Sequence, residues 1–282
     1  MTLTRPGTLS EALAILADRP LPVIAGGTDF YPARQGRPLP GAALDLTGIA
    51  GFRGIARDSA GWRIGAATTW TDIARASLPP AFDALHAAAR EVGSVQIQNA
   101  GTVAGNLCNA SPAADGVPPL LVLDAVVECA SVAGTRRIAL ADFLLGPRKT
   151  ALLPGELVTA VLVPDPPPGA RAAFRKLGSR RYLVISIAMA AVLVATDARG
   201  RIDLVRIAVG ACSPVARRLP ALEAALIGQH LGPELAAFDL TDDMLAPLTP
   251  IDDVRASARY RRDGAAELVR RALADLAETP DG

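Results

Sequence analysis

The sequence predicts an α+β protein built from two packed parts, and three observations carry that expectation. Its 282 residues, half of them hydrophobic, are enough for two domains with a sizeable core. Helix-like and strand-like patterns alternate up to residue 163, where the proline run "PDPPPGA" interrupts them, so 164–169 is taken as the boundary. Beyond it "AAFRKLG", "AMAAVLVATD" and "IDLVRIAVGAC" read as three strands, the last two joined by "DARGR" as a hairpin, before helices close the chain.

Each element follows from its own signal. Thr8 with Glu11 reads as a capping box opening a helix through Leu9, Leu13 and Leu16. "LPVIAGGTDF" is a short β-like run that stops on Gly26 and Gly27. Turns marked by Pro and Gly separate strand candidates at 43–46 and 62–66, and a helix starts near Thr69. "PAFDALHAAAREVGS" has Pro80 at its start and Gly93 placed for a left-handed C-cap, which predicts a helix. Residues 99–119, "NAGTVAGNLCNASPAADGVPP", have loop composition, and so long a loop in a compact domain is uncommon unless it binds something. "LLVLDAVVECAS", "RRIALADF" and "GELVTAVLVP" alternate helix-like and strand-like pieces. The apolar run from Leu183, "LVISIAMAAVLVA", is shorter than the roughly 18 to 20 residues of a bilayer span and reads as buried strand. "LPALEAALIG" and "RYRRDGAAELVRRALADLAE" predict the closing helices. In the second, Leu268, Leu273 and Leu276 recur at helical spacing and the arginines are assigned to a solvated face.

Charge and cysteine usage exclude several function classes. A net charge of +1 gives no broad field to attract nucleic acid or an anionic membrane. Cys108, Cys129 and Cys212 are odd in number and widely spaced, which suits a reducing compartment and makes no zinc or iron–sulfur pattern, so no metal site is expected. The first residues lack a basic region followed by a sufficient apolar stretch, and a cytoplasmic location is expected. His86 and His230 have no serine, cysteine or carboxylate in a recognisable partner pattern and are read as structural or surface residues. With "G-x-S-x-G" absent as well, a Ser–His–Asp hydrolase is poorly supported.

Two glycine-rich stretches carry the chemistry. In "AGGTD", Ala25 to Asp29, the glycines suit positive φ or close approach of another group, and consecutive N–H groups in such a turn can form an anion nest. A tight turn that happens to use two glycines is the competing reading. In the second stretch Gly101, Ala104 and Gly105 keep the backbone bare, while Thr102, Asn106, Asn109 and Ser111 offer hydroxyls and amides to phosphate oxygens or sugar hydroxyls. Asp115, the one charge there, suits a ribose or ribityl hydroxyl; an ordinary connecting loop is the alternative. Neither stretch matches a P-loop, because Lys149 and Lys176 lie far from both. Nor does either match a Rossmann fingerprint, because "AGGTDFYPARQGRP" runs into prolines.

Taken together, "VIAGGTDFYPA", "VGSVQIQNAGTVAGNLCNASPAADGVPPLLVLDA", "RRIALADFLLGPRKTALLPGELV", "AFRKLGSRRY" and "ASARYRRDGAAELVRRAL" resemble the FAD-binding subunit of molybdenum hydroxylases. That group includes carbon monoxide dehydrogenase medium subunits and the flavin domain of xanthine dehydrogenase, and the likeness runs in order along nearly the whole chain. It implies a vanillyl-alcohol-oxidase-type (PCMH-type) FAD-binding domain over 1–165, in two α/β subdomains of about 1–50 and 51–165. It further implies a C-terminal domain over 170–280 with a three-stranded antiparallel sheet and helices. The implied cofactor is FAD. The implied partners are a subunit with two [2Fe–2S] clusters and a large molybdopterin subunit, in a dimer of heterotrimers.

Carried over residue by residue, the resemblance places Val23, Ile24, Ala25, Gly26, Gly27, Thr28, Asp29 and Phe30 in the first FAD loop, with Ala25 to Asp29 around the pyrophosphate. It sets Gly101, Thr102, Ala104, Gly105 and Asn106 on the other side of the phosphates, and Ser111 and Asp115 at polar positions. Leu157 matches an apolar contact to the flavin ring, Lys176 a lysine near the isoalloxazine that would tune its potential, and Tyr182 a cover for a ring face. Two departures stand out: Ala104 replaces the usual second glycine of "T-[IV]-G-G-N", and Val92 stands where some relatives have an aromatic. The implied activity is electron transfer from the clusters through FAD to an external acceptor. A free-standing flavin oxidoreductase and a cofactor-free assembly subunit are the alternatives.

Overall fold

The structure, a computed structural model, describes residues 1–34 and 36–278. Strands β1 (Thr2–Thr4), β2 (Val23–Ile24) and β3 (Ala42–Asp45) form a small parallel sheet in the order β1-β3-β2. Helix α1 (Leu9–Asp18) starts at the expected capping box. Thr8 Oγ1 accepts from the Glu11 N–H at 3.3 Å, and Glu11 Oε2 accepts from the Thr8 N–H at 3.2 Å. Its buried face, Ala12, Leu13 and Leu16, joins Leu44 and Leu46 in the core. Strand β2 is short because Gly26 and Gly27 turn the chain away.

The next stretch crosses from a hairpin to a run of helices and back. Strands β4 (Ile55–Asp58) and β5 (Gly61–Gly65) lead into α2 (Trp70–Arg75), α3 (Asp83–Glu91), α4 (Val95–Ala100), α5 (Val103–Asn109) and α6 (Val117–Val122). Thr69 caps α2, and Gly93, with φ +56°, ends the α3 segment as the sequence predicts. Strands β6 (Val126–Ser131) and β7 (Gly134–Ala139) follow. Then come α7 (Leu140–Phe143), the ribbon β8 (Leu144–Gly146) and β9 (Lys149–Thr150), and β10 (Leu157–Val163). The long strands pair antiparallel in the order β4-β5-β10-β6-β7, which places β10 at the centre of the sheet.

After the proline-rich connection, β11 (Arg171–Leu177), β12 (Ala188–Thr196), β13 (Ile202–Gly210) and β14 (Arg217–Arg218) make one antiparallel sheet, followed by α8 (Pro220–Leu226) and α9 (Ala258–Glu278). The three expected strands are present, and the two-residue β14 adds a fourth at the edge. Strand β12 is apolar from Ala188 to Ala195 because both its faces are covered. Met189, Ala191, Leu193 and Ala195 pack into the N-terminal core, while Ala188, Ala190, Val192 and Val194 face the cluster built with α9. The N- and C-terminal parts therefore share a core.

Three sequence expectations need correction. Residues 99–119 are not one long loop: α5 lies inside them and α6 begins there. Thr102 caps α5, and its small first residues let the helix end dock on backbone carbonyls of 66–68, which glycine-rich composition does not announce. The strand expected from Leu183 begins only at Ala188. Leu183 has φ +52° and is exposed, so 183–187 is a bend rather than a ladder. The arginines of α9 are not all solvated, because Arg261 is 4% exposed. Among the described residues no helix is long and apolar enough to cross a membrane.

Candidate functional site

A cleft of about 770 Å³ opens between the turn after β2, helices α4 and α5, the 111–115 turn and the start of β10. Of the expected binding residues, Val23 through Phe30, Gly101, Thr102, Ala104, Gly105, Asn106, Ser111, Asp115 and Leu157 all line it. Lys176 does not line it but touches a residue that does, and Tyr182 lies outside with 63% of its surface exposed. Val92 lines the cleft too.

The two glycine stretches meet in space. A Cβ on Gly26 would stand 1.7 Å from the Ala100 carbonyl oxygen, so only glycine lets the first turn touch the end of α4. Gly27 has φ +71°, in the left-handed region, and a side chain there would also collide with Tyr31. Gly101 lies against Thr28 and Trp70. The two turns thus form one wall.

Their hydrogen-bonding capacity differs. Among the described residues, no protein acceptor takes the N–H groups of Gly26, Gly27, Thr28 or Asp29. Four successive free donors around a left-handed glycine make an anion-binding concavity. At α5, by contrast, the first amides are engaged: Val103 donates to Thr68 O at 2.9 Å, Ala104 to Ala66 O at 3.3 Å and Gly105 to Thr102 Oγ1 at 3.1 Å. Because the Ala104 amide is held this way, its methyl sits in an ordinary helix rather than at positive φ. What α5 offers the cleft is side chain: Asn106 Oδ1 is buried without a partner among the described residues.

Of the three carboxylates at the cleft, Asp29, Asp115 and Glu156, the last two are paired. Asp115 Oδ2 is 2.7 Å from Lys176 Nζ, and its Oδ1 accepts from Ser186 Oγ at 2.6 Å. Burial pushes the Asp115 carboxyl above its ordinary value, against the pull of the Lys176 ammonium. Lys176 donates to Glu91 O as well, at 3.2 Å. Glu156 receives Arg136 at 2.6 and 2.7 Å and the Leu153 N–H at 2.7 Å, and the Arg136 hydrogen bond holds its carboxyl below the usual range. That clamp fixes the turn leading into Leu157.

Residues that the sequence reading did not single out complete the lining. Arg34 stacks over the Phe30 ring at 4.6 Å from its centroid, and Arg34, Arg37 and Arg148 make the cleft cationic. Arg34 and Arg37 form no ion pair among the described residues. Phe52, Trp70, Ile97, Leu152 and Ile185 give it apolar walls. These residues come from distant segments and only the fold assembles them. The site combines free backbone donors and arginines with apolar walls, and so suits a ligand that is part anionic and part apolar. It offers no free acid–base pair, and no metal-ligating cluster exists among the described residues. His86 pairs with Asp83 at 3.4 Å, and His230 is exposed beside Glu234; neither reaches the cleft.

Comparison with known proteins finds relatives over nearly the whole chain. Residues 1–166 match the family described as the FAD binding domain in molybdopterin dehydrogenase, and residues 172–276 match the CO dehydrogenase flavoprotein C-terminal domain. The chain is 31% identical to the nicotinate dehydrogenase FAD-subunit of Eubacterium barkeri, over 98% of this chain and 96% of that one. It is 31% identical to the carbon monoxide dehydrogenase medium chain of Afipia carboxidovorans, over 95% and 94%. Its fold superimposes on a chain of the crystal structure of the cyanide-inactivated Cu,Mo-CO dehydrogenase with a TM-score of 0.88 at 27% identity, covering 97% of this chain and 96% of the other.

Proposed function

The chain belongs to the FAD-binding medium subunits of the molybdenum hydroxylase family, and from that membership we propose that it carries FAD in the cleft. It takes electrons from the [2Fe–2S] clusters of a partner subunit and delivers them to an external acceptor. The observation that carries this reading is the row of free N–H groups at Gly26 to Asp29, set in the same cleft as the unpartnered Asn106 oxygen. These residues fit the cofactor: the donors suit a pyrophosphate, and the acceptor suits a hydroxyl or amino group.

Bound there, FAD supplies the exchange between one- and two-electron chemistry. The chain does the rest. Gly26, Gly27, Thr28 and Asp29 would donate their N–H groups to the phosphates, and Arg34 and Arg37 would balance the phosphate charge. Leu157, Ile97 and Ile185 wall off water, and the Lys176–Asp115 pair fixes the charge at its end of the cleft. Such electron transfer needs no acid–base pair, in keeping with the engaged state of Asp115 and Glu156. A large molybdopterin subunit completes the assembly as a dimer of heterotrimers, working in the cytoplasm; free Cys108, Cys129 and Cys212 suit a reducing compartment.

Co-expression with its partners tests this. The flavin of the complex should be reduced when the substrate of the large subunit is added, and removal of the iron–sulfur subunit should abolish that reduction. Turnover of a substrate by the isolated chain would favour a free-standing oxidoreductase. Purification without flavin from a functioning complex would favour an assembly subunit.

A further inference from the structure

Behind the 111–115 wall of the cleft, on the far side of the C-terminal sheet, lies a buried cation to which no role has been given. Arg261 on α9 is 4% exposed. Its Nη1 donates to two carbonyls, Ile187 O at 2.6 Å and Ala211 O at 3.2 Å, and its Nη2 donates to Asp253 Oδ1 at 2.7 Å. Each of the two carbonyl-bearing residues stands at the C-terminal part's contact with the 111–115 turn. Ile187 follows Ser186, whose hydroxyl donates to Asp115 at 2.6 Å. The Ala211 N–H donates to Pro112 O at 2.9 Å, and Ala211 holds φ +61°, a conformation unfavourable for alanine that needs external support.

We infer that Arg261 is a positioning residue for the cofactor cleft: one guanidinium, anchored by Asp253, holds two backbone points, beside the Lys176 contact, at which the C-terminal part grips the turn carrying Ser111 and Asp115. A planar fork bonded to two carbonyls and a carboxylate fixes their separation, which a lysine ammonium on a flexible stem does less rigidly. The arrangement also accounts for burying an arginine on a helix whose neighbours Arg259 and Arg262 reach surface carboxylates. This inference rests on the FAD reading for its functional consequence, but not for the strut itself.

The test uses the full chain, with FAD as the probe and hydrogen exchange of the apoprotein as a readout independent of the cofactor. In Arg261→Met, amide exchange at Ala211 and in the peptide 110–117 should speed up by about tenfold, with strands β5 and β10 unchanged. The FAD Kd should rise by about tenfold, and adding Ser186→Ala should weaken binding less than it does in the wild type. Arg261→Lys should restore part of both. Wild-type FAD affinity and exchange in Arg261→Met would overturn the proposal, as would faster exchange spread evenly over all strands. If Arg261→Met does not fold, Arg261→Lys decides by the same two readouts, and wild-type values there overturn it. If the wild-type chain takes up no FAD, the flavin reading falls while the exchange data still judge the strut.

Discussion

Lys176 on β11 and Asp115 in the turn before α6 form an ion pair, Nζ to Oδ2 2.7 Å, with side chains 7% and 9% exposed. The pair ties the C-terminal sheet to the wall of the cleft, and Ser186 occupies the other carboxylate oxygen. It is therefore both a seam between the two parts and the charge setting of one end of the site.

Breaking one side of a buried pair leaves the other charge uncompensated. Lys176→Met should destabilise the chain by about 3 kcal/mol, and Lys176→Met with Asp115→Leu should recover part of that loss. Urea denaturation of both variants checks it. A single variant as stable as the wild type would remove the seam from the account.

Gly26 and Gly146 make a matched pair of substitutions. A methyl at Gly26 must push back the Ala100 carbonyl, whereas at Gly146 it meets nothing within 4 Å. Gly26→Ala should weaken FAD binding by about tenfold or more, about 1.4 kcal/mol, and Gly146→Ala should leave it unchanged. Fluorescence titration of the two apoproteins reads both affinities.

Thr102 starts α5 by accepting the Gly105 N–H at 3.1 Å. Thr102→Ala removes that cap and should cost about 1 kcal/mol, a fall in Tm of about 2–4 °C for a chain of this size. Calorimetry measures it, and an unchanged Tm would mean that α5 is held by its contacts with 66–68 alone.

Acid should expose the Arg53–Asp72 contact. The Arg53 hydrogen bond lowers the Asp72 carboxyl from 3.8 to about 2. A depressed folded-state value means stability that is present above 3.8 and lost as pH falls towards 2. Melting temperatures taken across that range should fall less steeply for Asp72→Asn than for the wild type. Parallel curves would show that the contact contributes nothing.

Legibility in the sequence differed from residue to residue for physical reasons. The capping box at Thr8, the turn at Gly26 and Gly27 and the C-cap at Gly93 depend on local backbone needs that one or two residues express. Helix α5 was hidden because glycine, alanine and asparagine suit loops by propensity, while its stability comes from the Thr102 cap and from carbonyls of 66–68 distant in sequence. Arg261 was hidden for a similar reason. A helical pattern assigns charge to solvent, and only the tertiary fold brings Ile187, Ala211 and Asp253 around it. Composition left the first loop open between a tight turn and an anion nest, and only the resemblance set it at a cofactor; the cationic rim at Arg34, Arg37 and Arg148 had no signal at all, since no spacing links them.

Titration of the purified apoprotein with FAD, followed by visible absorbance and by phosphorus NMR, decides whether the cleft holds the cofactor. One FAD should bind per chain, with the pyrophosphate signals shifted on binding and returned to free values in Gly27→Val, where the side chain meets a φ of +71°. No binding by the wild type, or full occupancy in Gly27→Val, would contradict it.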